Sequence, residues 1–437
     1  MTVDARTNID DLARFVAASP TSFHAVEQVA SRLKKAGFYE LSEQESWPKN
    51  TATGRSFVIR DGAIIAWAGG QKTRLSQYRI LGAHTDSPSF KVKPQSSIST
   101  LGWNQVGVEV YGGALLNSWL DRELRLAGRL TVKDGASTRN VLVSTGAMAR
   151  IPQLAIHLDR DVNQGLQLNK QQNLYPVWGT DKTENDVLGY LVEHGTEEDI
   201  ATEDILGYDL LFADYQHPET FGANKEFLAS GRLDNLSSVH AGLCALERYV
   251  TAGYDETAEH TVMLAAFDHE EIGSETRSGA AGPFLEDVIK RISQTREETQ
   301  EEYLRSIASS VCLSSDAGHL VHPNYSGHHD TQVRPQPGHG PLLKINANQR
   351  YATDSIGAGI FALACRHAEV PYQEFVSNNN VPCGSTIGPI TATRLGIRTI
   401  DVGIGLLSMH SAREMCHIDD MAYMTRAIEG FYTLPTL

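Results

Sequence analysis

Residues 261–275 read TVMLAAFDHEEIGSE. The segment is apolar from Val262 to Phe267 and then turns abruptly to Asp268, His269, Glu270 and Glu271. A short apolar run bounded by polar residues reads as a buried strand. Its end is poor core material, because two adjacent carboxylates repel each other and resist burial. The segment therefore predicts a sheet strand whose last residues serve a charged site.

The neighbouring sequence supports a sheet covered by helices. SFVIRDG (56–62), YRILGAH (78–84), SVCLSSD (310–316) and RTIDVGIG (398–405) are further strand candidates. Helix candidates are 22–36, 235–250, 283–307, 354–368 and 419–432, the second marked by Leu236, Val239, Leu243 and Leu246 at near-helical spacing. The N-terminal MTVDARTNIDDLARF reads as an amphipathic helix with Ile9, Leu12, Phe15 and Val16 on one face. Such alternation implies an α/β class. Residues from about 95 to 228 differ: short β-like runs such as VGVEVYG, GRLTVKD and RNVLVSTG are separated by turn residues, and a polar stretch EHGTEEDIATED follows. This region reads as a β-rich insertion, giving one domain from 1–94 plus 229–437 and a second from 95–228. REETQEEYLR is expected to be a charge-rich helix with a solvated face, and the Gly/Pro/His segment 322–340 a loop that could cover a substrate.

Composition narrows the class of function. A chain of 437 residues exceeds one ordinary core, which favours two domains. The formal charge of −15 argues against nucleic acid and anionic membrane as partners. Cys244, Cys312, Cys365, Cys383 and Cys416 are odd in number and lack CxxC spacing, which suits reduced thiols in the cytoplasm. No apolar run approaches the ~20 residues of a membrane span, and the N-terminus lacks the basic-then-apolar order of a signal peptide.

In open α/β sheets ligands bind at the carboxyl ends of the strands. The polar residues at those ends are His84 and Asp86, Glu270 and Glu271, Asp316 and His319, and His410, with Asp234 at a helix start. Imidazole plus carboxylate without thiolate is the donor set of catalytic zinc, cobalt or manganese. Each residue also has a plainer reading: Asp234 as a helix cap, His410 as a buried hydrogen-bonded ring, Asp316 as a turn residue before Gly318. His84 and Asp86 are harder to set aside, since residues i and i+2 of an extended chain share a side and Asp86 can hold the second ring nitrogen of His84. Paired Glu270 and Glu271 are hardest, because burying both without a cation is costly.

GAHTDSP, SGRLDN, DHEEIGS, SSDAGH, CGSTIGP and SMHSARE occur in that order. Together they resemble the aspartyl aminopeptidase family of co-catalytic zinc metallopeptidases, over nearly the whole chain from SPTSFH (19–24) to MHSARE (409–414). The resemblance implies a three-layer metallopeptidase catalytic domain with an inserted dimerisation domain. It implies two divalent ions, zinc first with cobalt or manganese as alternatives. His84 and Asp316 would hold one ion, Glu271 and His410 the other, and Asp234 would bridge them. Glu270 would act as general base on a metal-bridging hydroxide or water. Three ligand carboxylates and one hydroxide balance two divalent ions, so the core is near neutral and Glu270 keeps a usable pKa.

The resemblance also implies peptide substrates with N-terminal Asp or Glu. The acidic chain opposes such substrates, so a local cation is needed, and GPLLKINANQRYATDS offers Lys344, Arg350 and Tyr351. By resemblance Lys344 pairs the acidic side chain, with Tyr351 and His319 in the same substrate-binding group. His157, in the apolar and strand-like run ARIPQLAIHLDR (149–160), would reach a neighbouring subunit's active site and help hold the substrate carbonyl. The implied assembly is a homo-oligomer, a tetrahedral dodecamer. Competing readings are an aminopeptidase preferring neutral N-terminal residues, an aminoacylase-like amidohydrolase, and an inactive assembly-forming scaffold.

Overall fold

The computed structural model describes residues 3–70 and 77–436. Met1 and Thr2, the head of the N-terminal stretch read above, lie outside the described residues. The segment 261–275 does supply a central strand, His260–Phe267, followed by a short 3₁₀ turn Glu270–Ile272. Its side chains alternate between two helical layers. Val262, Leu264 and Ala266 join one apolar cluster; Met263, Ala265 and Phe267 join the other. A strand buried on both faces reads as continuous apolar sequence, which is why no polar alternation marks it.

Among the described residues nine strands form the main sheet, in the order Tyr39–Glu40, Arg55–Arg60, Ala63–Ala68, His260–Phe267, Gln77–His84, Val311–Ser315, Arg398–Gly403, Leu342–Lys344, Gln373–Phe375. Four central strands, from His260–Phe267 to Arg398–Gly403, run parallel to one another. Helices Ala5–Ala17, Ser22–Lys35, Leu233–Thr251, Ser355–His367 and Ile418–Thr433 cover one face. Phe284–Thr295, Gln300–Ser309 and Ile387–Leu395 cover the other, completing three layers. Register decides what meets at the carboxyl edge. Phe267 lies opposite His84, and Ser314 lies opposite Gly82, so the turns after all three strands emerge side by side.

The second body is a β-barrel whose strands run from Ser89–Thr100 to Ile205–Asp214. Strand Ile205–Asp214 pairs with both Ser89–Thr100 and Glu123–Asp134, which closes the ring. Phe90, Val106, Val108, Leu124, Leu126, Leu130, Leu210 and Phe212 fill it, with Trp119 set edge-on to Phe90. The chain then returns through Phe227–Ser230, which pairs with Glu414–His417 beside the main sheet.

Two local expectations are corrected. The single helix expected over 283–307 is two, Phe284–Thr295 and Gln300–Ser309. Glu297 takes the left-handed conformation, and Thr299 with Glu302 forms a reciprocal capping box that starts the second helix. The strand-like reading of 149–160 holds only for Ala149–Arg150; beyond Ile151 the chain is an exposed loop with a turn closed by Leu158 N–H to Ala155 C=O, 2.8 Å. Leu154, Ile156 and Leu158 are apolar yet exposed there, so apolarity in this run does not report burial within the chain.

Candidate metal centre

Five turns deliver six charged or imidazole groups to the carboxyl edge of the main sheet. His84 ends its strand, Asp316 follows Val311–Ser315, and Glu270 and Glu271 follow His260–Phe267. Asp234 sits in the first turn of Leu233–Thr251, and His410 on the loop before Glu414–His417. His84 Nε2 lies 3.3 Å from Asp234 Oδ1, 3.5 Å from Asp316 Oδ1 and 3.9 Å from Glu270 Oε2. His410 Nε2 lies 3.5 Å from Asp234 Oδ2 and 3.4 Å from Glu271 Oε2. The two oxygens of Asp234 thus face two different histidines. Donor atoms of His84, Asp234 and Glu271 all fall within 4.8 Å of one another.

A second ring of contacts orients these groups. Asp86 holds the far nitrogen of His84 through its main-chain carbonyl at 3.1 Å and its carboxylate at 3.3 Å. The same carboxylate accepts the backbone N–H of Glu270 (3.0 Å) and Glu271 (3.1 Å) and the Tyr111 hydroxyl (2.8 Å). Glu414 accepts the backbone N–H of Asp234 at 3.0 Å and of His410 at 2.9 Å. The carbonyl of Gly113 takes the far nitrogen of His410 at 3.1 Å. At Gly112 φ is +70°, and a Cβ would stand 3.1 Å from Cβ of Glu271, so glycine lets the barrel segment approach this closely. His269, Arg232 and His410 are non-glycine residues at positive φ in the turns that carry the cluster. Such conformations persist where surrounding structure enforces them, and they gather at functional sites.

The electrostatics describe a site short of positive charge. Burial raises Glu270 to about 7, with Asp316 and Asp86 adding to the rise and His84 opposing it. Burial and Asp234 push Glu271 well above the usual carboxylate range. Burial also disfavours ionised Asp234, but the His410 and His84 rings hold it low. Burial disfavours the charged form of His84, yet hydrogen bonds to Asp234, Asp316 and Asp86 keep that form favoured. Oε1 of Glu271 is buried and accepts no hydrogen bond. Unpaired buried carboxylate oxygens are costly unless a cation takes them. The donor set and this orphaned oxygen fit hard or borderline divalent ions.

The sequence profile of the family described as aminopeptidase I zinc metalloprotease (M18) matches residues 15–432. The chain belongs to the M18 family. This M18 chain is 48% identical over 430 residues to the probable M18 family aminopeptidase 2 of Streptomyces avermitilis, covering 98% of each. It is 43% identical to the namesake from Azotobacter vinelandii, covering 99% of this chain and all of that one. Among solved structures it superposes with a TM-score of 0.93 on a chain of the Ape4 and Nbr1 complex, at 34% identity, covering 99% of this chain and 87% of the other. A structure described as the S. cerevisiae mApe1 dodecamer matches at 30% identity and TM-score 0.84, covering 97% and 95%. The M18 chain is a metallo-aminopeptidase by family, with the mixed α/β fold and additional closed barrel of those structures.

The remaining candidates divide in this M18 chain. Lys344 is only 1% exposed, so it is no surface lysine; its ammonium donates to the Ala317 carbonyl at 2.7 Å and lies 4.0 Å from Asp316 Oδ2. Tyr351 stacks beside it, 5.3 Å from ring centre to ammonium, and Phe375 links Tyr351 to His319 through ring contacts of 6.2 and 6.1 Å. Arg350 is exposed. His157 sits on the exposed loop beyond Ile151 and makes none of these contacts within its own chain. Sequence reading passed over Glu414, Tyr111 and Gly113. Glu414 sat inside the quoted SMHSARE motif, so a signal was present; the other two arrive from the barrel with no motif to flag them. Among the described residues no helix is long and apolar enough to cross a membrane.

Proposed function

We propose that this chain is a di-metal aminopeptidase that removes N-terminal Asp and Glu from peptides. One observation carries the reading: two histidines face opposite oxygens of Asp234, each with a further carboxylate beside it. In this reading His84 and Asp316 hold one ion, Glu271 and His410 the other, and Asp234 spans both. The ions are zinc in the first instance, with cobalt or manganese as alternatives. When bound they lower the pKa of the attacking water and polarise the scissile carbonyl. Asp86 orients His84, and Glu414 orients Asp234 and His410.

Glu270 is the proton carrier. Its side chain is 18% exposed against 3% for Glu271, so of the neighbouring carboxylates it is the one open to an incoming water. It takes a proton as the water oxygen adds to the carbonyl carbon. It returns that proton to the leaving nitrogen as the C–N bond breaks, which completes hydrolysis.

Lys344, Tyr351 and His319 form the pocket for the first side chain. His157 serves a neighbouring copy, and the exposed Leu154, Ile156 and Leu158 around it support a loop that docks elsewhere. The inserted segment 95–228 acts as the dimerisation domain of a homo-oligomer. The dodecamer named for one M18 relative supports the same assembly here, in the cytoplasm. The contact of Lys344 with Asp316 favours a second reading, in which Lys344 serves the metal centre and neutral N-terminal residues are accepted.

Kinetics on a panel of aminoacyl peptides decides between these readings. Chelator is expected to abolish turnover and added zinc, cobalt or manganese to restore it; full activity in chelator sinks the metallo-enzyme reading. Lys344→Met keeps the buried stem and removes the charge. Loss of a charge-assisted hydrogen bond costs about 1.5–3 kcal/mol, so kcat/KM on Asp-peptides is expected to fall about 10- to 100-fold more than on Leu-peptides. Equal losses on both substrates assign Lys344 to the metal centre instead.

A further inference from the structure

A second group of metal-ligating side chains lies on the far side of the helix that starts at Asp234. His240 and Cys244 are one turn apart on Leu233–Thr251, and Asp11 reaches them from Ala5–Ala17. His240 Nε2 is 2.8 Å from Asp11 Oδ2 and 3.5 Å from Cys244 Sγ, and Cys244 Sγ is 3.9 Å from Asp11 Oδ2. Zinc bonds of ~2.3 Å to sulfur and ~2.0–2.1 Å to nitrogen and oxygen, at tetrahedral angles, place ligand atoms ~3.3–3.6 Å apart. The three measured edges bracket that range, so shifts well under an ångström complete one face of a tetrahedron. His240 is fully buried and Cys244 is 9% exposed, while the Asp11 side chain is 32% exposed and leaves an approach from solvent.

Arg32 is the resident counter-cation. It donates to Asp11 at 2.8 Å, to Cys244 Sγ at 3.4 Å and to Glu247 at 2.9 Å. The anions around it are therefore already gathered about a positive charge. Glu247 accepts two of the guanidinium's hydrogen bonds and gives it a partner outside the cluster. Burial works against a charged His240, but Cys244 and Asp11 outweigh it and raise the ring to about 9.

We propose that Asp11, His240 and Cys244 form a thiolate-bearing site for a borderline divalent ion such as zinc, distinct from the carboxylate–imidazole centre. On binding, Cys244 and His240 release their protons to solvent, Sγ and Nε2 become donors, and Arg32 swings outward. The ion then joins the N-terminal helix to the helix that carries Asp234.

The sulfur makes the test specific, because no cysteine belongs to the catalytic cluster. The full-length protein is titrated with cobalt(II) and followed in the near ultraviolet. A thiolate-to-cobalt charge-transfer band is expected in the wild type and in Cys383→Ala, and is expected to vanish in Cys244→Ala, which retains peptidase turnover. Arg32→Gln removes the competing cation and is expected to tighten cobalt binding at this band about tenfold. No band in the wild type, a band that survives Cys244→Ala, or unchanged affinity in Arg32→Gln overturns the proposal. Turnover of Cys244→Ala reports on the catalytic reading separately.

Discussion

Glu270→Gln is expected to lower kcat by about 10²–10⁴-fold while the protein keeps its full metal content. The change is nearly isosteric, and Glu270 is tied down by its backbone rather than its side chain: its N–H donates to Asp86. The turn Glu270–Ile272, and with it Glu271, should therefore stay in place. What disappears is the most accessible carboxylate of the cluster, the group placed to take a proton from water and return it. Elemental analysis alongside steady-state kinetics checks the pair of outcomes. Wild-type turnover in the variant removes Glu270 from the proton transfer. Metal lost in step with activity would make it a ligand instead.

Glu414→Gln is expected to weaken metal binding about 10- to 100-fold, with turnover recovering at high metal concentration. Glu414 never faces the centre with a free oxygen; its two oxygens are taken by the backbone N–H groups of Asp234 and His410. One buried carboxylate therefore holds in register two turns that lie far apart in sequence. An amide offers one acceptor and one donor, so one of the two N–H groups would meet another N–H. Metal titration of activity checks this. The contrast with Glu270→Gln is the decisive feature: excess metal should rescue Glu414→Gln and should leave Glu270→Gln inactive. If excess metal leaves Glu414→Gln as impaired as before, Glu414 has a role other than positioning.

The parts of this protein that can be read along the chain are those written locally. Val262 to Phe267 announces a buried strand by apolarity alone, and the change at Asp268 marks its carboxyl end. His84, Glu271 and Asp316 were visible because each follows such a segment, while Asp234 stood at a helix start and His410 after a glycine-bearing run. Thr299 and Glu302 also carried a local signal, the Thr-x-x-Glu spacing of a capping box, which a continuous reading of 283–307 overran. What stayed hidden depends on register between distant segments. Tyr111 and Gly113 reach the centre only because the barrel seats against the sheet. The closure of that barrel needs Ile205–Asp214 to pair with Glu123–Asp134, a match no local pattern encodes. Lys344 was singled out only through the resemblance, because composition cannot reveal that its strand ends inside the molecule. The loop after Ile151 misled for the opposite reason: its leucines and isoleucine are apolar and yet face outward.

The order in which the clustered groups occur along the chain has a consequence for shortened chains. His84 emerges early, whereas His410 precedes only one short strand and the last helix. A polypeptide cut before residue 410 therefore carries only one of the two histidines, and half of the proposed centre cannot form.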